Sequence, residues 1–169
     1  MQYKHGYSIC ISTQVGCRMS CTFCATGKSG FSRNLTASEM LAQIQSAQKD
    51  LGIQISNIVL MGMGEPLDNY QQVLRFLELV SSDEGMNIGM RHISVSTCGI
   101  VDKIYDMANR KLQCTLSVSL HAPNDNLRSQ TMPINKKWGV AQLLKACKYY
   151  SDTTRRRISF EYAMISGLN

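Results

Sequence analysis

The chain has 169 residues, of which 44% are hydrophobic and 18% charged, and lysine plus arginine exceed aspartate plus glutamate by six. That balance excludes a disordered polymer, and no apolar run approaches the roughly 20 residues a membrane-spanning helix needs. No secretory signal opens the chain, so its seven cysteines point to metal binding or catalysis in a cytoplasmic setting rather than to a disulfide framework.

In chain order, short apolar runs alternate with longer amphipathic stretches. Strands are predicted at 7–13 (YSICIST), 57–62 (NIVLMG), 92–98 (HISVSTC), 114–120 (CTLSVSL) and 157–165 (RISFEYAMI). Helices are predicted near 36–50, 70–82, 100–110 and 138–151, the first opened by Thr36 as N-cap with Glu39 completing a capping box. Five strands alternating with four helices define an α/β fold with a parallel sheet and right-handed crossovers.

Several strands carry a small polar face: Ser8, Cys10 and Ser12 on the first, Ser94, Ser96 and Cys98 on the third, Ser117, Ser119 and His121 on the fourth, and Ser159 and Glu161 on the fifth. A closed barrel is normally filled by bulky branched residues, so a polar inner face leaves room for a ligand. A full (βα)8 barrel takes about 250 residues. The expectation is therefore a partial, open, TIM-like (β/α) barrel with outer helices, forming one truncated domain over 1–169.

The stretch VGCRMSCTFCATG places Cys17, Cys21 and Cys24 at C-x3-C-x2-C directly after the first strand. Structural zinc wants four ligands, generally in two separated pairs, and a bacterial ferredoxin run carries a fourth cysteine followed by proline. Neither follows here. Three thiolates on a [4Fe-4S] cubane leave one iron open for a substrate, whereas three unremarkable loop cysteines would not be packed this closely after a strand.

This spacing, with Phe23 just before the last cysteine, resembles the radical S-adenosylmethionine (SAM) superfamily. MGMGEPLDNY, SVSTCGI and SLHAPNDNLRSQTMPINKKW, together with CISTQVGC and FEYAMI, resemble its RNA adenine methyltransferases. The resemblance implies that Cys17, Cys21 and Cys24 hold a [4Fe-4S] cluster and that the open iron chelates SAM. Phe23, Gly64, Glu65, Ser96, Ser119, Leu120 and His121 become cofactor-binding residues, Gly64 and Glu65 at the methionyl amino group, the strand-end residues at the ribose and carboxylate. Cys10 becomes a catalytic cysteine acting in proton transfer and in resolving a covalent RNA–protein adduct.

The implied reaction places a methyl on an adenine ring carbon, C2 in the first instance and C8 in a related branch. The implied substrates are 23S rRNA and, in one branch, tRNA, with an electron donor such as flavodoxin or ferredoxin and no membrane. By the same resemblance a methyl-carrying cysteine lies beyond Asn169 and an RNA-binding extension precedes Met1, so these residues alone would hold the cofactors without turning over. Two other readings share the cysteines: a different radical SAM enzyme, such as a glycyl-radical activase, and a non-catalytic iron–sulfur or zinc module.

Cys98, Cys114 and Cys147 have no partner spacing and read as structural. The 123–137 connection is long for a strand-to-helix loop, where two to six residues are usual. It reads as a binding segment, with Arg128, Lys136 and Lys137 placed to meet phosphates. Arg155, Arg156 and Arg157 read as a solvated turn.

Overall fold

The computed structural model describes residues 1–3, 6–167 and 169. Its main sheet has the order β1 (Gln2–Tyr3), β2 (Gly6–Cys10), β5 (Ile55–Leu60), β6 (Ile93–Thr97), β7 (Thr115–Ser119) and β8 (Ile158–Glu161). From β2 to β8 every pairing is parallel and each strand lies beside its sequence neighbour in the sheet, while β1 adds a short antiparallel edge. The five expected parallel strands are all present, in an open sheet.

Between them run α2 (Ala37–Leu51), α3 (Tyr70–Ser81), α4 (Val101–Asn109) and α6 (Val140–Thr154). α2 starts where its capping box requires: the Thr36 hydroxyl accepts from the Glu39 amide at 3.2 Å, and the Glu39 carboxylate accepts from the Thr36 amide at 2.9 Å. Left-handed Gly52 ends it.

The branched residues on one sheet face, Ile58, Leu60, Ile93, Val95, Leu116 and Val118, are buried against Met40, Ile44, Phe76, Leu77, Ile104, Leu143 and Tyr150. The opposite face is the polar one. Ser94 and Ser117 share a hydroxyl–hydroxyl hydrogen bond of 3.0 Å, and with Ser8, Asn57, Thr115 and Ser159 they line a hollow at its N-terminal half. Helices on one side and a small polar lumen on the other make this the partial, open barrel expected.

Two features depart from expectation. An antiparallel ribbon of β3 (Gln14–Gly16) and β4 (Phe31–Asn34) brackets the cysteine loop, with the short helix α1 (Ala25–Lys28) inside it. The 123–137 connection contains α5 (Asp125–Thr131) and a 3-10 turn over Pro133–Lys136. Its arginine packs inward rather than reaching for phosphate. Arg128 is completely buried, donating to the carbonyls of Cys98 (2.6 Å), Ser119 (3.1 Å) and Leu120 (3.1 Å) and to Asn135 Oδ1 (3.0 Å). Four acceptors and no exposure make it a structural clamp on the ends of β6 and β7. Lys136 and Lys137 are exposed, Lys137 lying over the Trp138 ring.

Of the arginine run, Arg155 and Arg157 are exposed. Arg156 instead reaches inward toward the Thr115 hydroxyl (3.5 Å), and its Nε is buried without a partner. The fifth strand ends at Glu161 rather than continuing to 165. Beyond it the Ala163 amide donates to His121 Nδ1 instead of to a neighbouring strand.

Candidate active site

Parallel strands aim their C-terminal ends the same way, and the loops leaving those ends form one basin. β2 feeds the cysteine loop, β5 feeds Gly62–Glu65, β6 feeds Cys98, and β7 feeds His121. Cys17, Cys21, Cys24, Phe23, Gly64 and Glu65 line one cavity there, joined by Ser96, Ser119 and His121 from the lumen side. Nine of the expected site residues therefore converge.

The other two do not line it. Cys10 is exposed at the end of β2, on the same strand face as Ser8. Leu120 is half-buried, with its amide donating to the Glu161 carbonyl (3.0 Å) and its carbonyl held by Arg128.

The cysteine loop is shaped by hydrogen bonds of its own backbone. The Cys17 amide donates to the Gly30 carbonyl (2.8 Å), the Cys24 amide to the Cys21 carbonyl (3.1 Å), and the Thr22 amide to the Thr131 carbonyl (2.9 Å). Burial pushes the thiols of Cys17 and Cys21 up, Cys21 to about 11, and each of the two is raised further by neighbouring thiols of the trio. Three thiolates side by side in a half-buried cavity repel one another, a penalty that cationic iron removes. The donor set fits an iron–sulfur cluster at the edge of the cavity. Among the described residues no group of three or more His, Cys, Asp or Glu closes on a single metal ion. A cubane does not require it, because each ligand takes a different iron.

Opposite the loop, Gly64 has φ +103, and a Cβ there would lie 2.6 Å from Cβ of Gln14. Only glycine permits both the turn and the approach. Gln14 organises this corner: its side-chain oxygen accepts from the Glu65 amide (2.9 Å), and its Nε2 donates to Asn34 and Asp68 (2.8 Å each).

Glu65 is buried, 3% exposed, with Oε1 accepting from the Leu67 amide (2.9 Å) and Oε2 from the Cys98 amide (2.7 Å). Burial pushes its carboxyl up, and these hydrogen bonds oppose the shift. The Cys98 thiol beside it is pushed well up by burial and by the Glu65 charge.

His121 reaches the cavity by a left-handed turn (φ +54), not by strand alternation, since β7 ends at Ser119. Its Nδ1 accepts the Ala163 amide (2.9 Å), which leaves the ring proton on Nε2. Burial lowers its pKa, and Phe23 packs edge-on against it at 4.9 Å.

Sequence reasoning passed over two residues here. Gln14 sits inside the motif CISTQVGC but carries no charge to draw notice. Glu161 was visible on the polar face of the fifth strand, but its place in the cavity depends on partners from β6 and β7.

The chain belongs to the radical SAM superfamily, whose family model matches residues 11–169. Members of that superfamily use a [4Fe-4S] cluster and SAM, the pair of cofactors that the three thiols and the cavity beside them accommodate. The chain is 56% identical over all 169 residues to a protein from Clostridium novyi (strain NT) named "Probable dual-specificity RNA methyltransferase RlmN". It is 57% identical to one of the same name from Clostridium botulinum (strain Langeland). It spans about half the length of these curated relatives, 49% in each case. A solved radical SAM methyltransferase from Sphaerobacter thermophilus superposes with a TM-score of 0.95 at 46% identity, over 100% of this chain and 50% of that one.

Proposed function

We propose that this chain is the cofactor-binding core of a radical SAM methyltransferase that methylates an adenine ring carbon, C2 in our reading, in 23S rRNA and tRNA. The observation that carries the proposal is the convergence of the three cysteines with Gly64, Glu65, Ser96, Ser119 and His121 on one cavity at the strands' C-terminal ends. The relatives' printed name, a dual-specificity RNA methyltransferase, supplies the substrate class, and the activity is assigned to the whole protein.

An adenine ring C–H carbon is not nucleophilic, so ordinary methyl transfer fails and a cofactor must supply the chemistry. When bound, the cluster and SAM supply radical chemistry at the open iron. This chain's own residues do the rest. Cys17, Cys21 and Cys24, framed by the β3–β4 ribbon, would hold the cluster at the edge of the cavity they line. Gly64 lets the β5 loop approach SAM closely, and the Glu65 carboxylate, fixed by two amides, presents negative charge toward the methionyl ammonium.

Phe23 and His121 form one wall, and neutral His121 offers an Nε2–H donor. Leu120 contributes main-chain position rather than a side-chain contact. Cys10, exposed on the lumen face and outside the cofactor cavity, stands where a thiol could meet RNA rather than SAM, as a proton-transferring residue must. Flavodoxin or ferredoxin would deliver the electron, and the setting is cytoplasmic; among the described residues no helix is long and apolar enough to cross a membrane.

The test is anaerobic reconstitution with iron and sulfide, followed by EPR of the reduced protein with and without SAM. A four-iron signal that shifts on adding SAM is expected. A cluster indifferent to SAM leaves an iron–sulfur module, and bound zinc with no cluster sinks the proposal. Ala substitution at Cys17, Cys21 or Cys24 should abolish the signal, whereas Cys114→Ala and Cys147→Ala should keep it.

A further inference from the structure

The hollow at the N-terminal half of the lumen has no part in the reading above. Ser94, Thr115, Ser117 and Ser159 line it with hydroxyls, Arg91 and Arg157 line it with positive charge, and none of its lining residues is acidic. The arginines arrive from different strands. Arg91 stands in the short turn before β6 and Arg157 directly before β8, with β7 between them in the sheet. Two strand spacings and an offset along the strands put their backbones on the order of 10–15 Å apart, a gap that two arginine side chains can close on one small ion.

No ion pair among the described residues includes either arginine, and neither guanidinium is hydrogen-bonded among them. Arg156 adds a third guanidinium beside the hollow: it reaches the Thr115 hydroxyl at 3.5 Å, and its Nε is buried without a partner. Cations gathered around one recess with no carboxylate repel one another, and an anion between them removes the repulsion.

The hydroxyls say which anion. Ser94 and Ser117 share a single hydrogen bond of 3.0 Å, so one of their two protons is left for a ligand. Thr115 accepts from Arg156 and keeps its own proton, and the Ser159 hydroxyl has no partner among the described residues. Two guanidinium forks and three free hydroxyl protons exceed what the two oxygens of a carboxylate take up. A phosphate group accepts on more oxygens and pairs with arginine through two parallel hydrogen bonds.

We infer that this hollow is an anion site that holds a free phosphate group, inorganic phosphate or the end of a phosphomonoester, between Arg91 and Arg157. The ion closes the base of the open barrel, at the opposite end of the strands from the cysteines. The inference does not depend on what the cysteine-lined cavity binds.

The experiment titrates inorganic phosphate into the reconstituted chain under anaerobic conditions, with ionic strength held constant by chloride, and follows the backbone amides by NMR. Arg91→Gln and Arg157→Gln are titrated alongside, and circular dichroism and iron content check that each is folded and loaded. Wild type should show saturable shifts at the amides of Ser94, Thr115, Ser117 and Ser159, and its thermal midpoint should rise with phosphate over the same range.

A hydrogen bond to a charged group corresponds to roughly a 10- to 100-fold change in affinity. Each variant should therefore bind phosphate about tenfold or more weaker while holding iron as wild type does. Phosphate acting only as an excluded salt stabilises all three proteins alike and without saturation. That outcome, or saturable binding undiminished in both variants, overturns the inference. A short single-stranded RNA without terminal phosphates should not compete; competition by it assigns the arginines to an RNA backbone and overturns the free-phosphate site.

Discussion

Three residues carry predictions by themselves. Arg128 spends its guanidinium on three carbonyls and an amide oxygen with no exposure. Arg128→Ala strands those acceptors and should cost about 3 kcal/mol or more in chemical denaturation. Arg128→Lys should also destabilise, because one ammonium cannot span the same fan of acceptors. Sequence reasoning put this arginine at a phosphate because arginines are seldom buried; nothing in the string NDNLRSQT announces that carbonyls from two strands converge on it.

His121 titrates with a definite sign. Its pKa in the fold lies below 6.5, so the unfolded chain binds more protons. Stability is then full above about pH 6.5 and is lost as pH falls through the folded value, where protonating Nδ1 would also break the Ala163 contact. His121→Asn tolerates the left-handed backbone, can accept the same amide and does not titrate, so its denaturation midpoint should decline less than wild type between pH 7 and 5. Gly64→Ala should disturb the Gln14–Glu65 corner, and the readout is weaker SAM binding with little change in iron content.

At the scale of elements, legibility followed length. α2 was readable to within a residue because Thr36 and Glu39 stand three apart before a run with Met40 and Ile44 on one face. Thr36→Ala should cost about 1 kcal/mol, read as a lowered denaturation midpoint. The β3–β4 ribbon was not readable. QVG and FSRN are three and four residues long, too short for alternation to show, and their pairing only becomes sensible once the loop between them is closed. α5, with seven residues, was hidden for the same reason inside what looked like a long binding loop.

The polar strand faces were the sequence's best guide to the whole molecule. Alternation in ISVST and TLSVS placed Ser94, Ser96, Ser117 and Ser119 in the lumen without any structure, because period two admits only two faces. Past the strand ends Cys98 and His121 still line the cavity, but not by alternation: Cys98 is buried beside Glu65, and His121 arrives through a turn. The cysteine loop depends on the same assembly, its two ends tied by the β3–β4 ladder and its middle by the Thr22–Thr131 hydrogen bond. None of those ties involves iron. A loop tied by its own backbone should keep its fold through cycles of metal loss and refilling, which circular dichroism before and after chelation would show as an unchanged spectrum.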